Sequence, residues 1–142
     1  MALEPEGDHW VLPCEGLVVA QIRIDYAYGL EFTETPEGAA EVAWQLRVGA
    51  EFLFTDPLSR SLRIDPEGAA AAVGPALVTR HQQLTDGDIW SNGRIRMTFA
   101  NGCIVEVGPH ERYEAWTLAS TRGRPNQLFV CTPGGGHVDW GR

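Results

Sequence analysis

The chain carries 19 Asp or Glu against 11 Arg and no Lys over 142 residues, for a formal net charge of −8 and a pI near 4.9. That length fits one domain able to bury a core of its own. An acidic balance excludes a protein whose task is to coat nucleic acid, which needs a basic stripe, and the lack of lysine excludes Schiff-base catalysis, a phosphate-loop ammonium and a lysine base.

The charge is unevenly placed. Residues 1–56 hold 11 acids and 2 Arg, a balance of −9, whereas residues 57–142 hold 8 acids and 9 Arg, a balance of +1. Residues 1–16 read as an acidic, partly ordered N-terminal segment ahead of a single β-rich domain over 17–142. Met1 to Asp8 lack a basic stretch followed by an apolar one, so no secretory signal is expected, and no apolar run approaches the ~18 residues that span a bilayer. Cys14, Cys103 and Cys131 form an odd, unpatterned set that suits reduced thiols, and the expected location is the cytoplasm.

In chain order, Leu17 to Tyr26 ends in apolar/polar alternation, and Leu30 to Glu34 repeats that period after Tyr28-Gly29, which predicts a half-buried hairpin. Glu41 to Val48 alternates again, with Val42, Trp44, Leu46 and Val48 on one face. Asp65 followed by Pro66 and Ala69 to Ala72 predicts an N-cap, a proline at the first helical position and a short helix ended by Gly74-Pro75. Strands resume with Gln83 to Trp90, Arg94 to Phe99 and Cys103 to Val107, joined by Asn92-Gly93 and Asn101-Gly102, pairs that favour type I′ hairpin turns. Glu114–Leu118 and Leu128–Cys131 follow, and Pro133-Gly134-Gly135-Gly136 turns the chain into His137–Trp140.

The apolar phase of these runs predicts a core of Ile22, Ile24, Leu30, Phe32, Trp44, Leu46, Ile95, Met97, Phe99, Val105 and Trp116. The halves also echo each other at an offset of 67 residues, Leu17 meeting Leu84, Ile22 meeting Ile89, Leu30 meeting Met97 and Phe32 meeting Phe99. Two similar β units joined by the Ala-rich helix would explain the echo.

Phe99-Ala100-Asn101-Gly102, Tyr113-Glu114-Ala115-Trp116 and Pro133-Gly134-Gly135-Gly136 together resemble a family of small uncharacterised bacterial proteins. Its members share a Phe-x-Asp/Asn-Gly strand end, a Tyr-Glu-x-Trp segment and a Pro-Gly-Gly turn near the C-terminus. The resemblance spans most of residues 17–140 and implies a compact domain, with no activity, cofactor or catalytic residue attached.

Three groups of residues are candidate sites. Tyr113, Glu114 and Trp116 would place a carboxylate beside an indole on one side of a strand, as in a ligand pocket. The Gly134–Gly136 run could hold an anion, but it lacks the spacing of a nucleotide loop and reads as a turn. Glu31, Glu34 and Glu37 sit on the polar phase of a strand and its turn, where carboxylates could steer a basic partner. The four histidines and three cysteines show no paired zinc spacing, and no Gly-x-Ser-x-Gly elbow occurs, so no metal, cofactor or catalytic residue is expected.

These readings predict a mainly β (or α+β) fold of about ten antiparallel strands and one short helix, sandwich-like or half-barrel. The function expected first is a non-enzymatic protein-binding module with a basic protein partner and neither nucleic acid nor membrane. Its most specific form is an immunity-type inhibitor of a basic toxin. The alternative is a small-molecule binder or enzyme with a pocket near Tyr113, Glu114 and Trp116.

Overall fold

The computed structural model describes residues 5–13, 16–34, 42–120, 127–135 and 137–141, with only the backbone path for Ala70 and 137–141. Twelve strands are present among them: β1 (His9–Val11), β2 (Val18–Ile24), β3 (Tyr28–Thr33), β4 (Val42–Val48), β5 (Phe52–Thr55), β6 (Ser61–Ile64), β7 (Leu84–Trp90), β8 (Ile95–Phe99), β9 (Ile104–Val107), β10 (Trp116–Ser120), β11 (Gln127–Cys131) and β12 (His137–Gly141). A first sheet has the order β1-β7-β8-β9-β5-β6 and a second β12-β11-β10-β4-β3-β2, antiparallel throughout. The architecture is an open two-sheet sandwich. No helix among the described residues is long and apolar enough to cross a membrane.

The two halves of the chain follow the same path. In the first half β2-β3-β4 is a meander in the second sheet, after which β5-β6 crosses to the first sheet and pairs with β9; in the second half β7-β8-β9 is a meander in the first sheet, and β10-β11 crosses back to pair with β4. A pseudo-two-fold axis relates them. It passes through the bridge between Val18 and Gln83, flanked by two equivalent hydrogen bonds, Val19 N–H to Gln82 O at 3.0 Å and Leu84 N–H to Leu17 O at 2.9 Å. Register fixes the equivalences: Val19 faces Phe32 as Leu84 faces Phe99, and Ile24 faces Tyr28 as Ile89 faces Ile95. The offset is therefore 67 between β3 and β8, as the sequence suggested for Leu30/Met97 and Phe32/Phe99, but 65 between β2 and β7. A turn two residues longer between β7 and β8 accounts for the difference, and it moves the partner of Leu84 from Leu17 to Val19.

The core lies between the sheets. Phe32 and Phe99, equivalent residues from opposite sheets, stack with ring centroids 6.4 Å apart, and Tyr28 stacks on Phe52 at 5.1 Å. Leu30, Phe32, Leu46, Ile95, Met97, Phe99, Val105 and Trp116 are at most 2% exposed, and Trp44 is 9% exposed. Two expected core residues differ. Ile22 is only partly buried and Ile24 is 43% exposed, although both lie on the inward phase opposite Leu30 and Tyr28. The reason is position: β2 is an edge strand, covered from one side only.

Three local expectations are corrected. Tyr28 and Gly29 lie inside β3, and the first turn is Asp25–Ala27, where Asp25 Oδ1 accepts the Ala27 N–H at 2.8 Å. Asp65 does not cap a helix: it closes a turn through the N–H groups of Glu67 and Gly68, and a 3-10 helix runs from Ala70 to Thr79 straight through Gly74-Pro75. Tyr28 anchors that helix from the opposite sheet, its O–H donating to the Ala76 carbonyl at 2.9 Å. Finally, the Asn-Gly turns are not type I′, because only Gly93 (φ 96°) and Gly102 (φ 93°) take positive φ. Each is a three-residue loop with the glycine in the left-handed region, and the asparagine Oδ1 accepts the N–H two residues on, 3.1 Å in both hairpins.

Candidate functional site

Side chains of β2, β3, β4 and β10 that point away from the core form rows across the second sheet. One row is Arg23, Gly29, Arg47 and Thr117; the next is Gln21, Glu31, Gln45 and Ala119. Gly29 contributes no side chain, so a groove of about 270 Å³ opens between Arg23 and Arg47 with Glu31 and Gln45 beside it. The Arg23 Nε–H donates to Glu31 Oε2 at 2.5 Å, and Arg47 Nη1 donates to Asp25 Oδ2 at 3.2 Å. The Arg47 hydrogen bond, helped by the Ala27 N–H, holds the Asp25 carboxyl below its ordinary value. Arg47 also lines a second shallow cleft of about 190 Å³ with Gly49, Glu114, Trp116 and Thr117. A third cleft, about 340 Å³, lies beside β2 and is lined by Ala20, Gln21, Ile22, Leu77 and Arg80.

Glu31 is on the outward phase of β3 yet only 7% exposed, bound by Arg23. Glu34 is exposed just past the end of β3, and Glu37 lies outside the described residues. Of the seven described acids in residues 1–56, four are in ion pairs: Asp25 with Arg47, Glu31 with Arg23, Glu51 with Arg63 and Asp56 with Arg60. Trp116 opens β10 and points into the core, where its Nε1–H donates to the Gly93 carbonyl at 2.8 Å. Glu114 precedes the strand and is exposed, so the two do not share a strand face, although both reach the Arg47 cleft. Tyr113 stands apart from that cleft, stacked on His110 at 3.8 Å.

A polar cluster on the outer face of the first sheet has no counterpart in any sequence motif. His9 Nε2 lies 2.9 Å from Asp88 Oδ1, the His9 ring stacks on Trp90 at 5.0 Å, the Arg94 guanidinium lies 4.5 Å from the Trp90 ring centre, and Arg94 Nε–H donates to Glu106 Oε2 at 2.9 Å. His9 and Asp88 are 79 positions apart, so only the β1–β7 pairing could have joined them. The face of the His9 ring is covered by Trp90, and its edge meets the Asp88 carboxylate. Cys103 and Cys131 are buried, and burial pushes both thiols above their ordinary value, away from the reactive thiolate. Among the described residues no group of three potential metal ligands comes together.

Residues 10–141 match the model of a family of unknown function, DUF6188. This chain belongs to that family. Searches of curated proteins and of solved structures return no match. Nearly the whole DUF6188 sandwich, from β1 to the end of β12, lies within the matched span, so both sheets and the outward rows described above are parts of one family unit.

Proposed function

We propose that this DUF6188 chain is a non-enzymatic protein-binding module. The observation that carries the reading is a filled interior. Trp116, Tyr28, Phe32, Phe52, Phe54, Phe99 and Phe129 occupy the space between the sheets at under 2% exposure, and all three clefts open on the outside. Small ligands are usually enclosed by a concave, largely apolar pocket, whereas protein partners engage flat or shallow surfaces bearing aromatic and Arg side chains. Broad sheet faces carrying Trp90, Arg94, Arg23 and Arg47 suit the second kind of partner. The surplus of eight negative charges favours encounter with a basic protein, even though many first-half carboxylates are already paired.

The test is affinity capture with cross-linking, run beside a thermal-shift panel of metabolites. The reading expects one protein to cross-link at stoichiometric yield to strands of the sandwich, with no metabolite raising the melting temperature. A metabolite that stabilises the chain, with the effect abolished by Glu114→Gln or Arg47→Gln, would instead favour the small-molecule alternative, for which the shared cleft of Glu114, Trp116 and Arg47 is the supporting observation.

A further inference from the structure

The pseudo-two-fold leaves the two meanders with unequal edges. On β7, strand β1 runs along the outer edge, His9 opposite Trp90, Trp10 opposite Ile89 and Val11 opposite Asp88, and the Leu12 N–H continues the pairing to the Gly87 carbonyl at 2.9 Å. The equivalent stretch of β2 and its turn is Ile22 to Asp25. The residues that would supply its covering strand by the same offset, Gly74 to Leu77, are wound into the 3-10 helix instead. Among the described residues no backbone hydrogen bond reaches Gln21–Ile24 from the side away from β3. Among the described residues, pairing on this edge stops at Val19, whose carbonyl accepts the His81 N–H at 2.8 Å, and His81, at φ 66°, turns the backbone away.

We infer that the uncovered edge of β2 is a strand-addition site that takes an extended segment of a partner protein, apolar at alternate positions and carrying a carboxylate opposite Arg23. The inference rests on the protein-binding reading and names its docking mode. Added strands gain affinity from main-chain hydrogen bonds and specificity from pockets for alternate side chains. Both are present in outline. The gap between β2 and the helix is the 340 Å³ cleft walled by Ile22 and Leu77, and Ile24, Leu77 and Val78 are exposed beside it at 43%, 46% and 45%. Strand β1 shows what such a segment carries on its inward phase, since Leu12 is buried over Gly87 and Trp10 packs edge-on against Phe129 at 5.7 Å.

Charge sets the other phase. Arg23 occupies the position that Asp88 holds on β7; its Nε–H is held by Glu31, while its side chain stays two-thirds exposed, and Arg80 lines the cleft, so the segment that fits carries Asp or Glu where β1 carries Val11. A carboxylate on the docking segment is compatible with a partner that is basic as a whole, because long-range charge governs encounter and near neighbours govern register.

The probe is a synthetic peptide of residues 5–13 of this chain bearing Val11→Glu, titrated into the intact protein while amide hydrogen exchange is followed. Peptide binding is expected to slow exchange within Gln21–Ile24 and to leave Asp88–Trp90 unchanged. Arg80→Glu and Leu77→Glu alter exposed side chains and should each weaken binding at least about tenfold, while a peptide with Val11→Arg binds at least about tenfold more weakly than the Val11→Glu peptide. The inference is overturned if about 1 mM peptide leaves Gln21–Ile24 unprotected, if both protein variants bind normally, or if a dimer of the chain protects those amides without peptide. A partner that cross-links to another face while this edge stays open would sink the docking mode and leave the protein-binding reading standing.

Discussion

At the scale of single residues, a few buried polar contacts tie the sheets together. The Gly93 carbonyl, in the turn of the first sheet, accepts both the Trp116 Nε1–H at 2.8 Å and the Cys131 thiol at 3.3 Å from the second. Trp116→Phe should cost about 1–3 kcal/mol in a denaturant titration, and Trp116→Ala about 3–5; a loss below about 0.5 for the alanine variant would mean the indole is not packed as described. Glu31→Arg should also destabilise, by about 1–3 kcal/mol, because it would set a third cation beside Arg23 and Arg47 in a covered position. Glu34→Arg, on an exposed residue, should stay within about 0.5 kcal/mol. Equal melting of the two variants would contradict this assignment. Burial pushes the Tyr28 phenol well above its ordinary 10.0 and the Cys103 and Cys131 thiols above 9.0. Their neutral forms are favoured by the fold, so stability is fully present below pH about 9 and falls as alkali ionises the unfolded chain. Tyr28→Phe should flatten the part of that fall above pH 10; an unchanged profile would show that the phenol does not contribute.

At the scale of elements, turns and edges decide where each strand faces. Gly93 and Gly102 hold φ near 95° in matching loops, so Gly102→Ala should cost about 1 kcal/mol or more, and Gly102→Asn less, in thermal melts. A neutral alanine would mean the loop relaxes to another turn. The β7-β8-β9 meander was legible because its apolar residues alternate and asparagine-glycine pairs punctuate it. The β5-β6 hairpin was not legible. Phe52, Leu53 and Phe54 are apolar in both phases, Leu53 facing outward opposite Glu106, and the turn at Asp56–Arg60 is held by the Asp56 side chain without an Asn-Gly pair. Strand β1 is three residues long, too short for a period, and exists because β7 offers it an edge. Ile24 lies on the phase its alternation predicts, but alternation does not reveal that a strand lies at the rim. In the candidate site, the motif around Trp116 and the acids of β3 could be picked out by residue type. The groove itself could not, since it follows from Gly29 lying between Arg23 and Arg47 on three paired strands.

At the scale of the whole molecule, two similar meanders exchange hairpins across a pseudo-two-fold, and each sheet is completed by strands from the other half. Neither half can bury its apolar face alone, so the chain should unfold in a single transition, with separately expressed residues 1–66 and 67–142 unfolded until mixed. Independent melting of either fragment would contradict the exchanged path. The same arrangement fills the interior from both sides and leaves function to the outer faces and edges, which is why binding of a protein is the central claim. Native mass spectrometry of the chain purified from the cell that makes it tests that claim most directly. The account predicts a complex with another protein at fixed stoichiometry that dissociates as salt rises, and a chain that emerges alone with a small molecule or metal ion bound would contradict it.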